Sequence, residues 1–236
     1  MDLTPDVVAL GLIWFVVFLF SLTVHEAAHA LASYQLGDST AYEGGQVSLN
    51  PVPHMQREPF GTLLMPVLSY GLSLGSGSPW MMGWASAPYD PFWARRHPKR
   101  AALMALAGPV SNLLLVGLAG LAIRIGLSTG VFEVWDTMSF HQLIAATEPG
   151  AWEGLATLLS ILFTLNLVLF AFNLLPVPPL DGSGVLGLFL PERWVHRYLD
   201  TLQDPMWSLL GLLVAWRFFG FFYWPLHVVA VLILIG

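Results

Sequence analysis

The sequence predicts an all-α polytopic membrane protein with about four to six transmembrane or re-entrant helices and a short membrane-associated β element near residues 40–50. Three observations carry this. Of 236 residues, 56% are hydrophobic and 10% charged, and the mean hydropathy is +0.68, which leaves too little charge to cover a soluble domain of that length. Four apolar stretches, at 7–35, 101–126, 152–175 and 206–235, each hold the roughly 20 residues that cross about 30 Å of hydrocarbon. Between 37 and 59 the chain turns polar. There AYEGGQVSLNPVPH sets Gly-Gly before the alternation Gln46, Val47, Ser48, Leu49 and then two prolines, the pattern of a short strand pair.

The first stretch is read as a span and not as a cleaved leader, because Asp2 and Asp6 precede it and the run is longer than a leader's apolar core. A shorter apolar piece at 61–74 is either a re-entrant hairpin or a full span answered by an extended return, since 75–98 is rich in Gly, Ser, Pro and Trp. The last stretch, 206–235, is one helix or a hairpin. Nothing marks a second domain, so residues 1–236 are read as one membrane domain with its core at 7–190.

Charge orients the chain. Arg57, Arg95, Arg96, Lys99 and Arg100 lie between the first and second long spans and Arg193 and Arg197 follow the third, whereas 127–151 carries only Glu133, Asp136 and Glu148. The positive-inside rule puts 37–100 and 176–205 in the cytoplasm. Nine Lys and Arg in a chain of net charge −6 exclude a nucleic-acid surface. With no cysteine there is no disulfide and no thiolate ligand, which leaves His, Asp and Glu for any metal.

The first span ends in HEAAH, residues 25–29. Ionisable groups inside a membrane are expensive and mark function. His25 and His29 lie one helical turn apart and about 40° apart around the axis, so their imidazoles converge on one ion. Glu26 lies beside that point as a non-ligating carboxylate able to deprotonate water. Catalytic zinc takes three protein ligands, and the third is sought in NLLPVPPLDG, residues 173–182. Pro176, Pro178 and Pro179 end the third span in extended chain, and that chain carries Asp181 to the same membrane side as the histidines. An ordinary turn aspartate is the plain alternative.

HEAAH, the Asn-x-x-Pro-x-Pro-x-x-Asp-Gly pattern at 173–182 and ALAGPVSN at 105–112 together resemble the site-2 protease family of intramembrane zinc metalloproteases, peptidase family M50. VSLNPVPH (47–54), FGTLLMP (60–66) and GWASAPYDP (83–91) resemble its small bacterial branch, which has no PDZ or CBS domain. The likeness covers about residues 20–190. It implies one zinc ion held by His25, His29 and Asp181, with Glu26 as general base. Where Ser86-Ala87-Pro88 stands, family members often carry a basic residue and further prolines, a departure that bears on loop contacts.

The expected function is hydrolysis of peptide bonds in or near transmembrane segments of membrane protein substrates, as in regulated intramembrane proteolysis. The expected location is the bacterial inner membrane, with the site opening to the cytoplasm. The partners are a transmembrane substrate, the bilayer and a possible separate regulatory membrane protein. The alternatives are a metal-ion-binding membrane transporter and a catalytically silent membrane-protein binder. Asn173 and Asn112 are candidate substrate-binding or oxyanion groups. Asn166 is read as packing glue between helices, and His54 and Glu43 as loop residues. Arg217 needs a partner or a route to the interface. Trp207, Trp216 and Trp224 are read as interfacial anchors, and the 40–50 strand as an edge for an unwound substrate.

Overall fold

A computed structural model describes residues 4–76, 79–202 and 204–236. Among the described residues, four helices are long and apolar enough to cross a membrane: α1 (Pro5–Gln35), α6 (Pro98–Ser128), α7 (Ala151–Asn173) and α10 (Pro205–Ile235). Each of the three longest begins with proline, whose fixed φ suits the first turn and whose missing N–H costs nothing there. Thr4 caps α1 by accepting the Val7 N–H at 3.4 Å, and Asp204 caps α10 by accepting that of Met206 at 2.9 Å. α10 is a single helix of 31 residues with Pro225 inside it. α6 is the central member, packed against α1 on one side and α7 on the other. Ala102, Ala105, Gly108, Asn112, Ala119 and Gly120 lie buried along it, the small residues that let membrane helices approach closely.

The polar segment after α1 does not form the strand pair expected at 40–50. It holds α2 (Thr40–Glu43) and α3 (Pro51–Arg57) instead, because capping competes better than pairing. Asp38 accepts the Thr40 N–H at 3.0 Å and Asn50 that of Val52 at 3.0 Å. Gly45, at φ 71°, folds the chain back so that Gln46 N–H donates to the Ala41 carbonyl at 2.9 Å. The backbone bonds a ladder would need are spent locally.

The 61–74 piece runs back along α1 toward that helix's N-terminal end. A π-helical turn (Phe60–Leu64) leads into α4 (Met65–Ser73), and the Tyr70 hydroxyl donates to the Val7 carbonyl at 2.7 Å, at the far end of α1. Residues 79–90 then return without helix, until Asp90 N–H donates to Asp38 Oδ2 at 3.0 Å. Two serines fasten this extended return to α4. Ser73 Oγ accepts the Trp80 N–H at 3.0 Å, and Ser69 Oγ accepts that of Met82 at 2.9 Å. Four helical residues advance about 6 Å and two extended residues about 6.6 Å, so the two serines keep step with alternate residues of the returning chain. Phe18, Trp14, Tyr70 and Met81 close over it in one apolar cluster. α5 (Pro91–Arg96) then leads to α6.

Strand structure appears where it was not expected, in the connection from α6 to α7. β1 (Phe132–Ser139) pairs antiparallel with β2 (Gln142–Ala146), with an irregularity between Val134 and Ser139. The hairpin folds down along α7: Leu143 N–H donates to Ser160 Oγ at 3.0 Å, nine residues or about 13 Å along that helix. Phe140 stacks on Tyr223 of α10 at 6.1 Å. After α7 come α8 (Asp181–Val185) and α9 (Glu192–Leu202). Lys99 staples the chain between them to α6 by donating to the carbonyl of Gly187 at 3.1 Å. The out-and-back path between α1 and α6 puts the C-terminal ends of α1 and α7 at one end of the bundle.

Ser69→Ala leaves the Met82 N–H without its acceptor, a loss of about 1–3 kcal/mol for a buried donor. Hydrogen exchange of peptides covering 79–84 should quicken roughly five-fold or more, while Gly71→Ala, at a position open to its surroundings, should leave it unchanged.

Candidate metal centre

His25 and His29 face α6 from one side of α1, 4% and 6% exposed, with ring centroids 4.6 Å apart and the planes nearly perpendicular. Each ring is held at Nδ1. That of His29 donates to the Met104 carbonyl at 2.8 Å, and that of His25 meets Asn112 Oδ1 at 2.5 Å. A carbonyl oxygen only accepts, so Nδ1 carries the proton in both rings and each Nε2 turns a lone pair inward. The two Nε2 atoms are 3.0 Å apart.

Asp181 arrives from a different direction. α7 ends at Asn173, and the proline-rich turn that follows, with a cis peptide between Pro178 and Pro179, delivers it at the first position of α8. Gly182 lies against the carbonyls of Leu174 and Leu175, where a Cβ has no room. The Tyr198 hydroxyl, from α9, donates to the Ser183 carbonyl at 2.7 Å and fixes the other side of the turn. Gly211 of α10 lies against the Pro178 carbonyl, again with no space for a side chain. The carboxylate is thereby set with Oδ2 3.1 Å from His25 Nε2 and Oδ1 3.3 Å from His29 Nε2.

Three ligand atoms, one from each residue, therefore face one space, all within 4.8 Å of one another. They repel unless a cation lies between them. Ligands at 2.0–2.1 Å around a tetrahedral zinc ion stand about 3.3 Å from each other, close to the 3.0, 3.1 and 3.3 Å separations here. Two further features suit an ion. Asp181 Oδ2 is buried and accepts no hydrogen bond among the described residues. Gly108 of α6 faces the gap, so that a Cβ there would collide with Nε2 of both histidines. An imidazole pair with one carboxylate is a donor set suited to zinc.

Glu26 is 4% exposed and has no hydrogen-bond partner among the described residues. Asn173, half-buried at the end of α7, is likewise unbonded among them. Asn112, grouped with Asn173 on sequence grounds, lies elsewhere: it is 0% exposed, with Oδ1 on His25 and Nδ2 donating to Asn166 Oδ1 at 2.8 Å. His54 is buried, and its Nε2 reaches the Ser48 carbonyl at 3.0 Å; Glu43 accepts from the Ser39 hydroxyl at 2.6 Å. Neither belongs to the cluster. Arg217 is exposed, its guanidinium 5.6 Å from the Phe218 ring centroid, and Trp207, Trp216 and Trp224 are exposed. The parts the sequence did not place are the role of Gly108, the Met104 carbonyl and the bond that links Asn112 to Asn166. ALAGPVSN marked the stretch, and within it Pro109 cannot donate to the Ala105 carbonyl and interrupts the α6 ladder beside the site.

Gly108→Ala should abolish metal binding by filling the space between the imidazoles. Elemental analysis of the purified protein would give a zinc content near zero, with a thermal midpoint in detergent close to that of the unaltered chain stripped of zinc.

Peptidase family M50 matches the chain over residues 13–216. Among curated proteins, the chain is 34% identical over 177 residues to "Putative zinc metalloprotease YwhC" of Bacillus subtilis, covering 75% of this chain and 68% of that protein. It is 34% identical over 213 residues to a protein named Rip2 in the same terms, from Mycolicibacterium smegmatis, covering 88% and 70%. The Rip2 of Mycobacterium tuberculosis is 30% identical over 212 residues, with the same coverage. No solved structure matches the chain. A match that spans most of the sequence, over a buried pair of histidines joined by an aspartate, makes this chain a member of peptidase family M50.

Proposed function

We propose that the protein is an intramembrane zinc metalloendopeptidase that hydrolyses peptide bonds in or near transmembrane segments of membrane protein substrates, in regulated intramembrane proteolysis. The observation that carries this is the convergence of His25, His29 and Asp181 beside an unbonded Glu26, at the end of a helix long enough to cross a membrane. His25 Nε2, His29 Nε2 and the Asp181 carboxylate hold one zinc ion per chain. Zinc, when bound, supplies Lewis acidity toward the scissile carbonyl and the attacking water. Glu26 takes a proton from that water and returns it to the nitrogen of the leaving amine, so that one carboxylate serves as base and then as acid. Asn173, free at the end of α7, offers its amide to the substrate backbone or to the developing oxyanion.

A substrate helix must unwind to expose its amide. The segment at 40–50 is no edge for it, but the return chain at 79–90 is extended, with the N–H groups of Trp80, Met82 and Trp84 bonded on one side. Its alternate residues point the other way and suit pairing with an unwound peptide. The site opens to the cytoplasm of the bacterial inner membrane. This rests on the basic residues 95–100, which stand at the same end of the bundle as Asp181: Arg100 donates to the Leu36 carbonyl at 3.1 Å, next to the end of α1. The whole chain acts as one peptidase domain.

Glu26→Gln should retain zinc and lose about 10²–10⁴-fold in the cleavage rate of a model transmembrane substrate in vesicles. Cleavage at the unaltered rate would remove Glu26 as base. Zinc chelation should abolish activity in the unaltered protein, and added zinc should restore it.

A further inference from the structure

Asn112 and Asn166 take no part in the hydrolysis set out above, yet both are 0% exposed between helices that face hydrocarbon elsewhere. Buried amides of that kind are kept only where each end is bonded. An amide can turn over, exchanging its oxygen for its nitrogen, so the direction of each bond needs a cause. The cause lies in the backbone of α7. The Leu162 carbonyl can only accept, and it takes a proton from Asn166 Nδ2 at 2.8 Å. The same nitrogen donates to Ser21 Oγ of α1 at 2.9 Å. Asn166 Oδ1 is thereby turned to α6, where it accepts from Asn112 Nδ2 at 2.8 Å. Asn112 must then present Oδ1 to His25 Nδ1, at 2.5 Å. An oxygen without a proton there obliges His25 to carry its own on Nδ1.

We propose that Asn166 and Asn112 are positioning residues that hold His25 in its Nδ1–H form, with the Nε2 lone pair aimed at the metal position. His29 receives the same instruction from the Met104 carbonyl directly. His25 receives it through two side chains that begin at a backbone carbonyl on a third helix. The arrangement makes α7 a determinant of metal affinity although it contributes none of the three ligands. The proposal rests on the assignment of His25 as a zinc ligand.

The test measures zinc affinity in detergent by competition with a chromophoric chelator, and the protonated nitrogen of His25 by ¹⁵N NMR of histidine-labelled, metal-free protein, its signal identified by loss in His25→Gln. Asn166→Asp, protonated on the oxygen that faces the Leu162 carbonyl, keeps its other oxygen toward Asn112 and should bind zinc within about three-fold of the unaltered chain. Asn166→Leu frees Asn112 to turn its nitrogen toward His25. It should weaken zinc roughly 10–100-fold, the usual cost of losing an outer partner of a ligating histidine, and move the His25 proton to Nε2. Wild-type affinity in Asn166→Leu, while His25→Ala loses zinc, would overturn the relay and leave the ligand assignment standing. A proton on Nε2 of His25 in the unaltered, metal-free protein would overturn it without any variant. Unchanged affinity in His25→Ala would overturn the assignment, and the relay with it.

Discussion

Two imidazole lone pairs and a carboxylate brought within 3.0–3.3 Å of each other repel, and away from bulk water nothing screens that repulsion. Much of the molecule can be understood as what is needed to impose it. α1 has to present two rings on one face, α6 has to come close without intruding, and the chain after α7 has to carry a carboxylate back into the gap. Gly108 answers the second need, since any side chain there would occupy the gap itself. The proline-rich turn answers the third, with Gly182 and Gly211 admitting backbone on either side of it. Bringing like groups together in this way is stable only if a cation joins them, so the fold around the site and the affinity of the site are one property.

The outer partners follow from the same constraint. A ring that could swing or exchange its proton would relieve the repulsion without any ion. One ring is tied to a main-chain carbonyl of α6, and the other to an amide that is itself oriented from α7. Ser21, Asn112 and Asn166 thus form a polar seam through the centre of three apolar helices. The seam is satisfied at every described junction, which is the condition for keeping such groups out of water.

What was legible in the sequence and what was not divides along physical lines. Long apolar runs have few alternatives, so all four spans could be read to within three residues. HEAAH stood out because its residues are costly where they lie, and Asp181 because three nearby prolines forbid the helix from continuing. The 40–50 segment was misread because alternation in Gln46–Leu49 resembles a strand, whereas the outcome was decided by the caps at Asp38 and Asn50, each a single side chain. The hairpin at 132–146 was missed because Glu133, Asp136 and Glu148 advertise solvent. Leu143 and Ile144, each 1% exposed, turn inward, and the irregularity after Val134 breaks the alternation that would have revealed them. Asn166 could not be distinguished from packing glue, because its partners lie 54 and 145 residues away in sequence.

The hairpin also changes what kind of helix α7 is. With α6 and α1 against it, α10 across it and β2 laid along its first half, α7 has no exposed residue from Ala156 to Asn173. Along that length it is buried or half-buried, more enclosed than α1 or α10. Lipid therefore exerts little selection on its side chains. The shape and bonding of its neighbours exert nearly all of it, and Ser160, Thr164 and Asn166 could settle there without any of them facing oil.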